Sequence, residues 1–217
     1  MRALFWVPLA AICSIVGIFP LVYLLAEGKI GILQTKSDAL VVDPWWRMGF
    51  HAHITCGGIT LLAGWTQFVN SWRERYRKLH RAVGKFYILM VCVSGSAGVF
   101  IAPLATTGWI AGMGFGCLGM IWLYVTFKAY QRVRQGDIEG HQRMMVYSYS
   151  ACCAAVTLRL WLPLLLGLLR LDFSYAYPLV AWLCWVPNLL VARSINASRA
   201  KRCRAKRCQD SFPGKES

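Results

Sequence analysis

Residues 78–103 read KLHRAVGKFYILMVCVSGSAGVFIAP. Behind the basic start, residues 83–103 are apolar except for small and hydroxyl-bearing side chains and Lys85, whose long stem lets its ammonium snorkel back toward the basic end. A helix crosses a hydrocarbon core of about 30 Å with roughly twenty such residues. Working outward from this stretch, five more meet the same requirement: 4–25, 48–69, 108–127, 144–169 and 175–191. The sequence therefore predicts an all-α, polytopic membrane bundle of about six transmembrane helices over residues 1–193, with the lipid bilayer as its solvent. The Lys, Arg and Ser-rich stretch 194–217 is expected to be a disordered cytoplasmic tail.

Composition points the same way. Of 217 residues 57% are hydrophobic and 15% charged, with a mean hydropathy of +0.46, whereas a soluble domain is nearer half apolar and about a quarter charged. A net charge of +15 would suggest a nucleic-acid partner if the cations lay along soluble elements. They fill the gaps between apolar runs instead, so no nucleic acid is expected. Of the nine cysteines, Cys13, Cys56, Cys92, Cys117, Cys152, Cys153 and Cys184 lie in apolar stretches and count as small hydrophobes. Cys203 and Cys208 sit in the basic tail with no histidine near them, which disfavours zinc and fits a reduced compartment.

The placing of Lys and Arg sets an expected orientation in the inner membrane. With the N-terminus cytoplasmic, 18 cations fall inside, among them Arg73–Arg81, Lys128–Arg143 and Arg193–Lys215, against Lys29, Lys36, Arg47 and Arg170 outside. An even number of crossings also puts the C-terminus in the cytoplasm. The first apolar stretch follows Arg2 in the manner of a secretory signal, but it is too long and lacks an A-x-A site, so it is expected to be retained.

Three stretches carry a polar or small stripe at helical spacing. In the second it is His53, Gly57, Thr60, Gly64 and Gln67; in the third, His80, Gly84, Tyr87, Val91, Ser94 and Gly98; in the fifth, His141, Met145, Ser148, Cys152, Ala155 and Arg159. Polar groups are costly against lipid, so these stripes should face the bundle interior. His51 points away from the His53 stripe. In the fourth stretch Gly108, Gly112 and Gly116 permit a close helix approach, and Trp182, Trp185 and Asn188 are expected to be core contacts.

Arg159 is the cation left deepest in the membrane, and none of the nine acidic residues falls within a spanning stretch. Its charge must be met by carbonyls, hydroxyls, water, side chains such as Gln67 or Asn188, or an anionic or quinone-like ligand. Pro163 removes the donor that would otherwise use the Arg159 carbonyl.

Gly64-Trp65-Thr66-Gln67-Phe68, the run from Lys78 through His80-Arg81 to Tyr87, the stretch from Gly136-Asp137 through His141-Gln142-Arg143 to Val156-Thr157-Leu158-Arg159-Leu160, and Ala181 to Asn188 together form a specific combination. It resembles the bacterial membrane family catalogued as domain of unknown function 2306, over most of the chain after Trp46. The resemblance implies a multi-helix membrane fold and no assigned activity. His53, His80, His141 and Arg159 fall at its motif positions; the first helix and the basic tail do not match it.

Two functional classes compete. One is a membrane redox protein holding a b-type haem by His80 and His141, the two candidate metal ligands, both on inward stripes at the cytoplasmic side, with Arg77, Arg81 or Arg143 facing the propionates and Tyr87 bounding the pocket. His53 is a further cofactor-binding candidate, but it has no histidine partner at its own depth, so a second haem is not expected. The other class is a non-catalytic accessory or assembly protein of the respiratory membrane, or a quinone- or lipid-binding protein without haem; in these the histidines only hydrogen-bond among loops and headgroups. A transporter is disfavoured by the lack of an inverted repeat and of intramembrane acids.

Overall fold

The computed structural model describes residues 2–25 and 29–211. Among the described residues there is no strand. The helices are α1 (Arg2–Ile18), α2 (Pro20–Leu25), α3 (Asp38–Val42), α4 (Pro44–Gly64), α5 (Asn70–Arg75), α6 (Arg77–Ile101), α7 (Trp109–Arg134), α8 (Ile138–Cys152), α9 (Ala154–Pro163), α10 (Phe173–Leu183) and α11 (Val186–Ser211). Helix α11 carries on through much of the basic stretch, and residues 212–217 of that stretch lie outside the described residues.

Five helical stretches are long and apolar enough to cross a bilayer: Val7–Leu25, Arg77–Leu104, Trp109–Arg134, Ile138–Leu168 and Phe173–Ala205. They coincide with five of the six expected segments. The sixth is α4, whose 21 residues rise about 1.5 Å each and so span about the same core, though His51, His53, two threonines and its glycines make it less apolar. Its place in the bundle explains that composition, because α4 packs between α1 and α6. The other neighbours are α6 with α7, α7 with α8 and α10, α8 with α11, and α9 with α10. Leu25, Trp109, Leu168 and Tyr175 are all more than 70% exposed, a surface suited to acyl chains.

Local chemistry sets the helix ends. Asp43 caps α4 by accepting from the backbone N–H of Trp46 at 2.7 Å, with Pro44 in the first turn where its missing N–H costs nothing. Asp137 caps α8 by accepting from Gly140 at 2.7 Å, and Gly136 at φ 79° makes the preceding turn. Asp172 caps α10 through Ser174 at 2.8 Å.

The stripes on α4 and α6 meet face to face in one antiparallel register. His53 lies against Gly98, Gly57 against the Ser94 hydroxyl, Gly64 against the Tyr87 ring and Gln67 nearest Gly84. A step along one helix is matched by an equal step back along the other. Thr60, Tyr87, Val91 and Ser94 in this seam are wholly buried. Beyond it, Tyr87 Oη and Ser148 Oγ are 3.0 Å apart, Ser148 Oγ and Thr126 Oγ1 2.7 Å, and Thr126 Oγ1 donates to the Trp122 carbonyl at 2.7 Å. Because the last proton goes to a carbonyl, the chain runs one way, with Tyr87 donating to Ser148 and Ser148 to Thr126.

Candidate functional site

The inward stripes place the four candidate residues at different depths. The helix ends and turns at 73–81 and 128–143 mark one end of the bundle, called here the basic end. His80 stands in the first turns of α6 and His141 in the first turn of α8, so both belong to it. Arg73 lines the same cavity as His80, and Arg81 follows it directly on α6. His141 Nδ1 is 2.9 Å from the Ala129 carbonyl on α7. A carbonyl can only accept, so Nδ1 carries the proton and Nε2 of the neutral ring keeps its lone pair.

Beside His80 is a cavity of about 230 Å³ lined by Thr66, Gln67, Trp72, Arg73, Tyr76 and Leu79 among others. Gln67 donates through Nε2 to the Thr66 hydroxyl at 3.1 Å, while its buried Oε1 has no partner among the described residues. His141 and Tyr87 do not line this cavity. Tyr87 is wholly buried and its hydroxyl is committed to Ser148.

His53 lies deeper, toward the opposite end. His53 Nδ1 is 2.9 Å from the Ser94 carbonyl, while Ser94 Oγ donates to the His53 carbonyl at 2.8 Å. The same rule fixes the tautomer, leaving His53 Nε2 as an acceptor. The ring fits only because residue 98 is glycine: a Cβ there would stand 2.8 Å from Nδ1.

Arg159 lies on α9. Its Nη1 donates to the Ala155 carbonyl at 2.7 Å, and its guanidinium stands 5.0 Å from the centre of the Phe19 ring, in cation–π range. Neither salt bridge among the described residues, Lys29–Asp38 or Arg132–Asp137, involves it. Gln67 is at the basic end, and the Asn188 amide reaches Ser150 O, Thr157 Oγ1 and Cys184 O instead. Those bonds stitch the α8–α9 and α10–α11 junctions together and make Asn188 a core contact.

Phe19 and Tyr23 are the residues that sequence reasoning missed. Phe19 stands in the turn between α1 and α2 and Tyr23 on α2, and their rings meet edge to face at 5.7 Å. Their closeness in sequence was the available signal, but aromatic pairs are too common in membrane helices for it to mark a site. Among the described residues no group of three or more His, Cys, Asp or Glu is arranged to hold a bare metal ion.

A family model described as "Predicted membrane protein (DUF2306)" matches residues 50–195. The chain belongs to that family. The matched region holds His53, His80, His141 and Arg159, while α1 and α2, whose connecting turn brings Phe19 to Arg159, lie outside. No curated protein and no solved structure matches the chain.

Proposed function

We propose that this membrane protein is a redox protein that holds one b-type haem at its basic end through His80 and His141. The observation that carries this is the placing of two histidines in the first turns of α6 and α8 at the same end of the bundle, one of them held through Nδ1 by the Ala129 carbonyl so that Nε2 of the neutral ring is free. Histidines that ligate metals are commonly oriented in this way, with the other ring N–H held by an acceptor. Arg73 and Arg81 supply cations suited to haem carboxylates. The cavity beside His80 is below the roughly 300–1,000 Å³ of ordinary ligand pockets, so the donor set supports this assignment and the volume does not. Bound haem would supply one-electron redox chemistry. The chain's own part is to present two imidazole nitrogens and to neutralise the carboxylates.

The excess of Lys and Arg at the basic end supports an inner-membrane location with that end, and both termini, in the cytoplasm. A second ligand reading concerns Arg159: a deep guanidinium without a carboxylate favours an anionic or quinone-like group there.

The test for haem is the visible spectrum of protein purified from haem-replete cells. One b-type haem is expected, lost in His80→Ala and in His141→Ala and kept in His51→Ala. A colourless protein, prepared where a control cytochrome is fully loaded, removes the proposal and favours the accessory role.

A further inference from the structure

We infer that the cavity beside His80 at the basic end is the headgroup site of an anionic membrane lipid, a phosphodiester whose alcohol keeps a free hydroxyl, of the glycerol phosphodiester class. The site uses Arg73 and Gln67 and leaves Arg81 to the haem carboxylates, so it does not depend on the haem assignment.

Two features of the cavity wall select the ligand. The first is charge. Arg73 lines the cavity and is partly buried there, whereas Arg75 and Arg77 on the same run are exposed. Neither salt bridge among the described residues involves Arg73, and the cavity lining holds no carboxylate. Glu74 belongs to the neighbouring groove, with Arg75, Arg77 and Lys78. A partly buried guanidinium without a counter-ion favours an anion, and its planar fork suits a phosphate.

The second feature is an acceptor. Thr66 Oγ1 donates its one proton to the Ala63 carbonyl at 2.7 Å, so toward Gln67 it can only accept. That fixes the Gln67 amide with Nε2 toward Thr66, at 3.1 Å, and leaves Oε1 as the buried atom without a partner among the described residues. An acceptor in this state costs free energy until a donor reaches it. The terminal torsion of a glutamine is broad, so a small turn presents Oε1 to the cavity that Gln67 lines. An ammonium donor, as in an ethanolamine headgroup, would stand beside Arg73 with no carboxylate to balance it. A neutral hydroxyl donates without that repulsion.

At about 230 Å³ the cavity suits a headgroup and not a whole ligand of ordinary size. The rest of the molecule has its own place. Leu79, at the cavity wall, is followed at steps of seven by Phe86 and Val93, all three exposed, and that step keeps to one face of a helix. This apolar stripe of α6 runs about 20 Å from the cavity into the bilayer, room for an acyl chain. Trp72 and Tyr76, both in the cavity lining and both about half-exposed, are rings of the kind that settles at headgroup level. The stripe favours a lipid over a soluble glycerol phosphate.

The test uses the full-length protein, delipidated in mild detergent, with affinities read by native mass spectrometry. The probes are phosphatidylglycerol; phosphatidylmethanol, which has the same charge and no headgroup hydroxyl; phosphatidylethanolamine; and soluble glycerophosphoglycerol. Phosphatidylglycerol is expected to bind at least about tenfold tighter than phosphatidylmethanol, the factor for a buried acceptor satisfied rather than left alone. Comparing two lipids of equal charge cancels the pull of the other cations at this end. In Gln67→Leu the two should bind alike, and in Arg73→Gln both should weaken by at least about tenfold. Thermal unfolding checks that each variant is folded, and the wild-type comparison needs no variant. Equal affinity for phosphatidylglycerol and phosphatidylmethanol in the wild type, or undiminished binding in folded Arg73→Gln, overturns the inference. Phosphatidylethanolamine binding as tightly as phosphatidylglycerol overturns the neutral hydroxyl. Glycerophosphoglycerol binding as tightly as the lipid overturns the membrane as the source and keeps the headgroup chemistry. Soret absorbance enters none of these readings, so failure here and failure of the haem assignment are told apart.

Discussion

Gly98 makes room for the His53 imidazole, and Ser94, one turn earlier on α6, holds that ring by its carbonyl and the His53 backbone carbonyl by its hydroxyl. Replacing Gly98 by Ala puts a methyl 2.8 Å from Nδ1, where the ring must move and lose the Ser94 carbonyl. The expected cost is about 1–3 kcal/mol of stability, as for other overpacked sites, read as a lower Tm in detergent. Ser94→Ala removes only the hydroxyl, leaves the carbonyl that fixes the tautomer, and should lower the Tm less. At the basic end the fixing group is again a carbonyl, that of Ala129, which no side-chain substitution deletes.

Among the elements, α8 depends most on its first turn, because His141 lies there and its backbone N–H donates to the Asp137 carbonyl at 3.0 Å. The Asp137 side chain accepts from Gly140 and from Arg132, at 2.7 and 2.8 Å. The Gly140 N–H first, and then the Arg132 guanidinium, hold its carboxyl below the usual carboxylate range. A group depressed in the folded state contributes in full above its unfolded value and loses that contribution as pH falls through its folded value. Between neutrality and about pH 5 the cap is therefore constant, and it weakens only in stronger acid. Asp137→Ala is expected to lower the Tm and reduce haem occupancy at neutral pH. Asp137→Asn keeps a cap acceptor, so its occupancy should stay closer to wild type, with this acid loss removed; titrating the Soret absorbance from neutral to acid compares the three proteins.

The closest backbone approach involving α1 and α4 is at Gly17 and Gly58, where a Cβ on Gly58 would lie 2.5 Å from the Gly17 carbonyl. On α7, Gly112 meets the Ala102 carbonyl as the small-residue spacing predicts, but Gly114 and Gly119, off that spacing, make equally close contacts with Ala181 and Val99. Spacing along one helix does not say how many neighbours it has. Helix α7 touches α6, α8 and α10, and each contact needs its own small residues.

For the whole molecule, the charge asymmetry makes a prediction independent of any ligand. Reporters fused after Arg77, after Gln135 and in the C-terminal tail should read cytoplasmic, and fusions near Ser37 and Asp172 external. Opposite sides for the two termini would show that α4 does not cross the membrane, since the other five spans alone give an odd count. This is the informative outcome, because α4 falls short of those five in apolar character and its crossing rests on being enclosed by α1 and α6.

The sequence by itself determined the helical class, the spans and the inward direction of the stripes, because bilayer thickness and the cost of lipid-facing polar groups act on each helix alone. It also marked His53, His80, His141 and Arg159. Tertiary structure decided which of these stand together. The seam of α4 and α6 is a register between two helices, and the meeting of Arg159 with Phe19 needs α9 and the turn between α1 and α2 at once. Tautomers were also beyond the sequence, since the carbonyls of Ser94 and Ala129 that fix them are backbone atoms common to every residue type. Only the packing of one helix on the next selects which carbonyl an imidazole meets.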